Sequence, residues 1–353
     1  MGLAYAPAFS IWRKSFMGKS LIGNYEMFKE IVIETLKDYL PEAYQDMEMK
    51  LVPVKRVNKV KDGICFFGDG SISASPTIYI DDMYAYYQET QSLDAALRSG
   101  AEFMAEAMER PDVRELPDLN LARAKDNIVF QLVNTMHNGE MLAEMPSRQF
   151  QDLSIIYKWI VEMDDNAVKS APVTNALAGK LGMDEGELFA CAMENTKRLL
   201  PPVVRRLDEM MKEAFGEGLD PEMMELVLEG ITPERALWVI SNTRGINGAG
   251  TMLYEPELHK LAEGLGSDLY ILPSSVHEVL AVSTDVGDPE ELAGLVAQVN
   301  LAEVPMEDRL SNQVYHYDKD LRRLTLATDT PNKRLDGMVA EARAVYDAAR
   351  RPR

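Results

Sequence analysis

From Ala236 to Ala327 strand-like and helix-like patterns follow one another in a single order, and that order restricts the architecture more than any other feature of the chain. "ALWVISN" reads as a strand and "GAGTMLYEPELHKLAEGLG" contains a helix. "DLYILPS" and "HEVLAVST" make a strand pair. "DPEELAGLVAQVN" is a helix with Asp288 as its cap and Pro289 in its first turn. "NQVYHYDKDLRRLTLA" is a hairpin turning at "DKD". The order βαββαββ calls for one compact α+β unit over 235–330.

Upstream, the pattern is a mixed one of helices and strands over 24–215. "YEMFKEIVIETLKDYL" spaces Phe28, Val32, Leu36 and Tyr39 as a helix, closed by Pro41. "EMKLVPVKRV" alternates like a half-exposed strand, and "SPTIYIDDMYAYYQE" is a short strand running into a helix near Asp81. "SLDAALRSGAEFMAEAMER" is an amphipathic helix capped by Ser92. "NIVFQLVNT" and "DLSIIYKWIVEM" read as strands. In "DEGELFACAMENTKRLLPP" Asp184 and Glu187 form a capping box and Pro201–Pro202 stops the helix. The acidic, Gly- and Pro-bearing stretch 216–234 is the expected junction. Residues 1–23 read as a disordered extension and 331–353 as a helical or disordered tail.

Composition narrows the function classes. The 57 Asp and Glu against 37 Lys and Arg give a net charge of −20. Residues 1–23 and 331–353 are each net basic, so the body between them is more acidic than the whole. Such a surface repels nucleic-acid phosphate, and direct nucleic-acid binding is not expected. A DNA mimic would need carboxylates arrayed along one face, whereas acids here are interspersed with Lys and Arg on most helices. No apolar run is long enough to span a membrane. Two cysteines far apart, Cys65 and Cys191, suggest a reducing cytoplasm and no disulfide framework. Four scattered histidines lack metal-ligand spacing, so no metal and no cofactor is expected.

Two stretches could carry chemistry. In "LPSSVHEV", Ser275 and His277 lie two residues apart, about 6–7 Å between Cα atoms on an extended chain, with Glu278 beside them. A nucleophile needs its base within hydrogen-bond reach and a third group to orient that base. No glycine flanks Ser274 or Ser275 as a nucleophile elbow requires, so a polar structural bend is the preferred reading. In "SNTRGINGAGTMLY", Arg244, Gly245, Asn247, Gly248 and Gly250 sit between an expected strand and helix, a setting in which backbone amides can hold an anion. The spacing is that of a dinucleotide loop reversed and no P-loop lysine follows, so a tight turn competes with a ligand site. If the two stretches share one end of the unit, Arg244, Asn247, Ser275, His277 and Glu278 would line one pocket. Farther upstream, Arg148 and Asp152 suggest an ion pair at a strand entrance.

The segments "LVNTMHNGEMLAEMPSRQFQDLSIIYKWIV", "ELFACAMENTKRLLPP", "ISNTRGINGAGTMLY" and "GSDLYILPSSVHEVLAV" together resemble a domain-of-unknown-function family of about 300 residues, frequent in anaerobic gut bacteria and often near mobile elements. The resemblance runs from about Tyr25 to about Thr325. The helix "DEGELFACAMENTKRL" and the later strand pair also resemble, more distantly, a second uncharacterised bacterial family. Neither resemblance implies an activity or a catalytic residue. The accessory-gene setting it implies suits a regulatory, immunity or anti-defence role. The expectation is thus a soluble cytoplasmic protein, leaning away from an enzyme, that binds a protein or a small molecule. The alternative is a small hydrolase or phosphate-ligand enzyme using His277 and the 245–250 loop.

Overall fold

A computed structural model describes residues 24–67, 76–109, 124–164, 168–215 and 236–328. The expected extension 1–23, the junction 216–234 and the tail 331–353 lie outside the described residues. The chain is of the α+β class, with antiparallel sheets and two compact units. Unit 1 comprises residues up to Lys55 and Val60–Leu119, and unit 2 comprises Arg56–Lys59 and everything from Asn120. The division between the two units falls near residue 119.

Unit 1 begins with helix α1 (Tyr25–Thr35), whose first-turn Met27 N–H is capped by Asn24 Oδ1 at 2.8 Å. A 3-10 turn carries it to Tyr39, just before Pro41, and the short α2 (Glu42–Gln45) follows. Strands β1 (Glu48–Arg56), β2 (Lys59–Phe67) and β3 (Thr77–Tyr79) form a three-stranded sheet in the order β1-β2-β3. Helices α3 (Ile80–Thr90) and α4 (Leu93–Glu109) complete the unit. Ser92 Oγ accepts the Ala95 N–H as the expected cap of α4. Phe28, Val32, Leu36, Ile64, Phe66 and Leu97 are fully buried in one core. Each such side chain contributes about 1.5–3 kcal/mol relative to exposure.

Unit 2 holds two sheets. The first is built on the long strand β6 (Leu153–Met163), with β4 (Ile128–Asn134) on one side and β5 (Ser147–Phe150) and β7 (Val168–Pro172) on the other. The polar "MPSR" stretch thus opens a strand that its composition hides. Helices α5 (Gly139–Leu142), α6 (Asn175–Leu181), α7 (Glu185–Leu199) and α8 (Leu207–Phe215) accompany it. The α7 capping box is present, with Asp184 accepting from Glu187 N–H at 2.9 Å and Glu187 accepting from Asp184 N–H at 3.0 Å.

The second sheet runs β13-β12-β10-β11-β9-β8. Its strands are β8 (Pro202–Arg206), β9 (Trp238–Asn242), β10 (Leu269–Leu272), β11 (Val279–Ser283), β12 (Tyr315–Asp318) and β13 (Arg323–Leu326). Helix α9 (Glu255–Leu265) separates β9 from β10, and α10 (Pro289–Ala302) separates β11 from β12. The expected αβ series from 236 onward does not stand alone, because β8 pairs with β9, Val204 opposite Ile240. A leading Pro202 is tolerated because β8 is an edge strand.

Alternation of period two sorts this sheet's faces. Leu269, Ile271, Val279, Ala281, Ile240, Tyr315 and Tyr317 join a core shared with Leu153, Ile155, Tyr157 and Trp159 of β6. The opposite face, with Leu272 buried and Tyr270 and Leu280 partly so, packs on Ala293 and Val296 of α10.

Candidate functional site

The bend between β10 and β11 is clamped along its length. Its backbone runs beside residues 308–311: Val276 N–H donates to Asp308 O at 2.8 Å, Leu310 N–H to Ser274 O at 2.9 Å and Ser311 N–H to Pro273 O at 2.9 Å. Ser275 and Arg309 form an isolated antiparallel bridge. The facing stretch is itself held by buried amide side chains. Asn58 Nδ2 donates to the carbonyls of Met306 at 3.0 Å and Arg309 at 2.6 Å, Asn134 Nδ2 to Leu310 O at 3.0 Å, and Asn300 Nδ2 to Ser311 O at 3.0 Å. Asn138 exchanges two hydrogen bonds of 2.7 Å with Asn58.

Within this frame the two sequence stretches meet. The His277 ring accepts the Asn247 N–H at Nδ1, 3.3 Å away. With Nδ1 an acceptor, the ring proton sits on Nε2 and is donated to Asp308 Oδ1 at 3.2 Å. The His277 carbonyl accepts from Ser241 Oγ at 2.7 Å. Ser275 is buried, and its Oγ accepts the His277 backbone N–H at 3.0 Å instead of facing the imidazole. Both ring nitrogens are committed, so neither is left to take a proton from the Ser275 hydroxyl. Glu278 is half-buried. Arg244 donates its backbone N–H to Asn242 Oδ1 at 2.9 Å.

The glycine loop serves close packing. A Cβ on Gly248 would stand 2.2 Å from Ser241 Oγ and 2.6 Å from His277 O, and one on Gly250 would stand 2.5 Å from the Phe130 ring. Gly245 and Asn247 take left-handed φ values of 62° and 53°, which glycine and asparagine adopt most readily. The loop leads into a buried 3-10 helix, Gly248–Leu253, whose Ala249 N–H donates to Val276 O at 3.2 Å. Among the described residues no group of three or more His, Cys, Asp or Glu could hold a metal ion, and both cysteines are free thiols.

Sequence reasoning missed two partly buried carboxylate sites. Arg148 does not pair with Asp152. It lies 3.8 Å over the Phe189 ring and forks onto Glu185, with Nη2 to Oε2 at 2.8 Å and Nε to Oε1 at 3.0 Å. The Tyr157 hydroxyl donates to the same Glu185. Burial alone would raise the Glu185 carboxyl, but the hydrogen bonds from Arg148 and Tyr157 outweigh it and hold it below the usual value. Asp152 instead accepts from Ser311 Oγ at 2.5 Å and from the Tyr315 hydroxyl. Burial without a cation raises its carboxyl, more than those two hydrogen bonds lower it. The partners of Asp152 lie about 160 positions later in the chain, and no local pattern points to them.

Two grooves of larger volume lie among the described residues. In unit 2 one of about 370 Å³ lies along α9, β8 and β9, lined by Val204, Trp238, Leu261 and Leu265, with Glu257 and Lys260. In unit 1 one of about 410 Å³ lies between α3 and α4 over β3, lined by Ile78, Met83, Tyr86, Ser99, Gly100 and Phe103. Both volumes fall in the range of ligand sites, about 300–1,000 Å³. The unit 1 groove differs in carrying two large aromatic side chains open to solvent, Tyr86 at 41% and Phe103 at 52% exposure. No helix among the described residues is long and apolar enough to cross a membrane.

No curated protein and no solved structure matches the chain. A family model, described as a family of unknown function (DUF5688), matches residues 25–319 and so takes in both units, the clamped bend and both grooves. The chain is a member of the DUF5688 family.

Proposed function

We propose that this DUF5688 protein is a cytoplasmic binding protein without hydrolase activity, and that it engages a protein partner through the α3–α4 groove of unit 1. One observation carries the reading: an apolar groove of about 410 Å³ leaves Tyr86 and Phe103 half-exposed, while the His277 ring and Ser275 Oγ are hydrogen-bonded within the fold. Large exposed aromatics on a concave apolar surface are the residues that anchor interfaces. The alternative, a hydrolase or phosphate enzyme on His277 and the 245–250 loop, is disfavoured by the engaged imidazole, the buried Ser275 and the packed Gly248 and Gly250. Arg244, Asn247 and His277 act in this reading as structural residues of the bend.

The test is affinity capture from native-host lysate with wild-type protein, Phe103→Ser and His277→Ala as parallel baits. A stoichiometric protein retained by wild type and His277→Ala but lost with Phe103→Ser supports the reading. Its identity would choose among regulatory, immunity and anti-defence roles. Turnover of generic ester or phosphoester substrates that disappears in His277→Ala would overturn it.

A further inference from the structure

We infer that the α3–α4 groove receives a basic amphipathic helix of a partner protein, an assignment that rests on the binding reading above and names the chemistry of its partner. The lining of α4 recurs at Ala96, Ser99, Gly100 and Phe103, the i, i+3, i+4, i+7 face of one helix, and that of α3 comes from Asp82, Met83 and Tyr86. Gly100 makes room for the Met83 side chain: a Cβ there would lie 2.8 Å from Met83 Cε. The floor is therefore narrow and apolar between two helical walls. A second amphipathic helix lays two or three apolar side chains into such a groove at the same spacing.

Charge selects the partner's sign. Helices α3 and α4 carry Asp81, Asp82, Glu89, Asp94, Glu102, Glu106 and Glu109 against the single base Arg98. Asp82 is bonded to Lys61, Asp94 to Arg98, and Asp81 to Tyr25 and the Asp62 N–H. Glu102 and Glu106 are exposed on the turns either side of Phe103, with Glu89 and Glu109 exposed beyond them. Glu102 and Glu106, four residues apart, thus rim one flank of the apolar strip, on two helices whose acids outnumber their bases. A partner with Lys or Arg flanking its apolar face gains steering and register from that rim, and an acidic or neutral helix does not.

The test uses the full-length chain and a fluorescein-labelled 18-residue Leu/Lys peptide of amphipathic helical pattern, read by anisotropy. A scrambled peptide of the same composition and a Leu/Glu helix run beside it. Saturable binding of the Leu/Lys helix, at least tenfold tighter than the scrambled peptide, is expected. Phe103→Ser and the double variant Glu102→Lys with Glu106→Lys should each weaken it at least tenfold, with thermal melts matching wild type because all three positions are exposed. Equal binding of helix and scramble, or of wild type and Phe103→Ser, overturns the assignment. So does concentration-dependent dimerisation that Phe103→Ser abolishes, which would make a second copy the occupant. A captured host partner that depends on Phe103 but not on the glutamates also overturns the basic-helix assignment while leaving the binding reading intact.

Discussion

The bend at 273–279 and the groove between α3 and α4 invert what their sequences suggest. The bend concentrates Ser, His and Glu, yet its Ser275 hydroxyl and both ring nitrogens of His277 are hydrogen-bonded within the fold. The groove is written in ordinary helix sequence, yet it leaves large apolar surface in contact with water. Reactive residue types indicate function only when the fold leaves them something to do. Where a ring such as that of His277 has both nitrogens matched, it fixes geometry, and the unmet demand lies in the solvent-exposed aromatic side chains of the groove.

That contrast can be broken by separating stability from binding. The largest loss of stability is expected at Gly248→Ala, whose Cβ would collide with Ser241 Oγ and the His277 carbonyl. A cost of about 3 kcal/mol, read from urea melts, follows from overpacking against backbone. A melt unchanged from wild type would show that the bend is not the packed feature described here. Next comes Asp152→Ala, which strands the buried Ser311 and Tyr315 hydroxyls at a cost of about 2 kcal/mol.

The two partly buried carboxylates sharpen the comparison through pH. Asp152 has a folded-state value above its unfolded one, so the folded form binds the proton more readily. Its contribution to stability declines as pH rises from the ordinary Asp range through that raised value. Glu185 runs the other way: its contribution is present above the ordinary Glu value and is lost as pH falls through its depressed one. Urea melts between pH 3 and 7 should therefore show a steeper rise with pH in Asp152→Asn and a shallower one in Glu185→Gln. Parallel curves for both variants would remove the Arg148 fork as the distinguishing cause.

A smaller effect is expected at His277→Ala, about 1 kcal/mol for two hydrogen bonds at a partly exposed ring. The smallest is at Phe103→Ser, within about 0.5 kcal/mol of wild type for an exposed position, although this variant should lose the partner. If Phe103→Ser destabilised the fold as much as Gly248→Ala, the groove would be core and not interface.

Local patterns carried the element order well. Hydrophobic spacing marked α1, α4 and β6, and side-chain chemistry marked the caps at Ser92, Asp184 and Asp288. These are interactions among residues a few positions apart, so a reading of nearby residues reaches them. The pairing of β8 with β9 is different, because the thirty-odd residues between them look like a boundary and Pro201–Pro202 looks like a stop. The buried asparagines 58, 134, 138 and 300 were likewise hidden. Asparagine reads as a turn former, and only the folded chain supplies the carbonyls of 306–311 that Asn58, Asn134 and Asn300 meet and the Asn58 amide that Asn138 meets. The groove was invisible for a related reason: its lining comes from two helices and an edge strand, each unexceptional alone. The meeting of Asn247 with His277 was legible as a conditional, since it depended on both turns lying at one end of the sheet.

The pairing of Asn134 with Leu310 and of Asp152 with Tyr315 also sets a timetable. The bonds span 176 and 163 positions. At ribosomal speeds of roughly 5–20 residues per second, the earlier partner waits roughly 8–35 s for the later one to be synthesised. Through that interval the second sheet is incomplete, because β12 and β13 are its last strands to be made. Apolar surface left uncovered in an incomplete sheet is what makes a folding intermediate prone to aggregate, so chaperone demand during synthesis should follow the arrival of residues 306–326 more than the final stability of the fold.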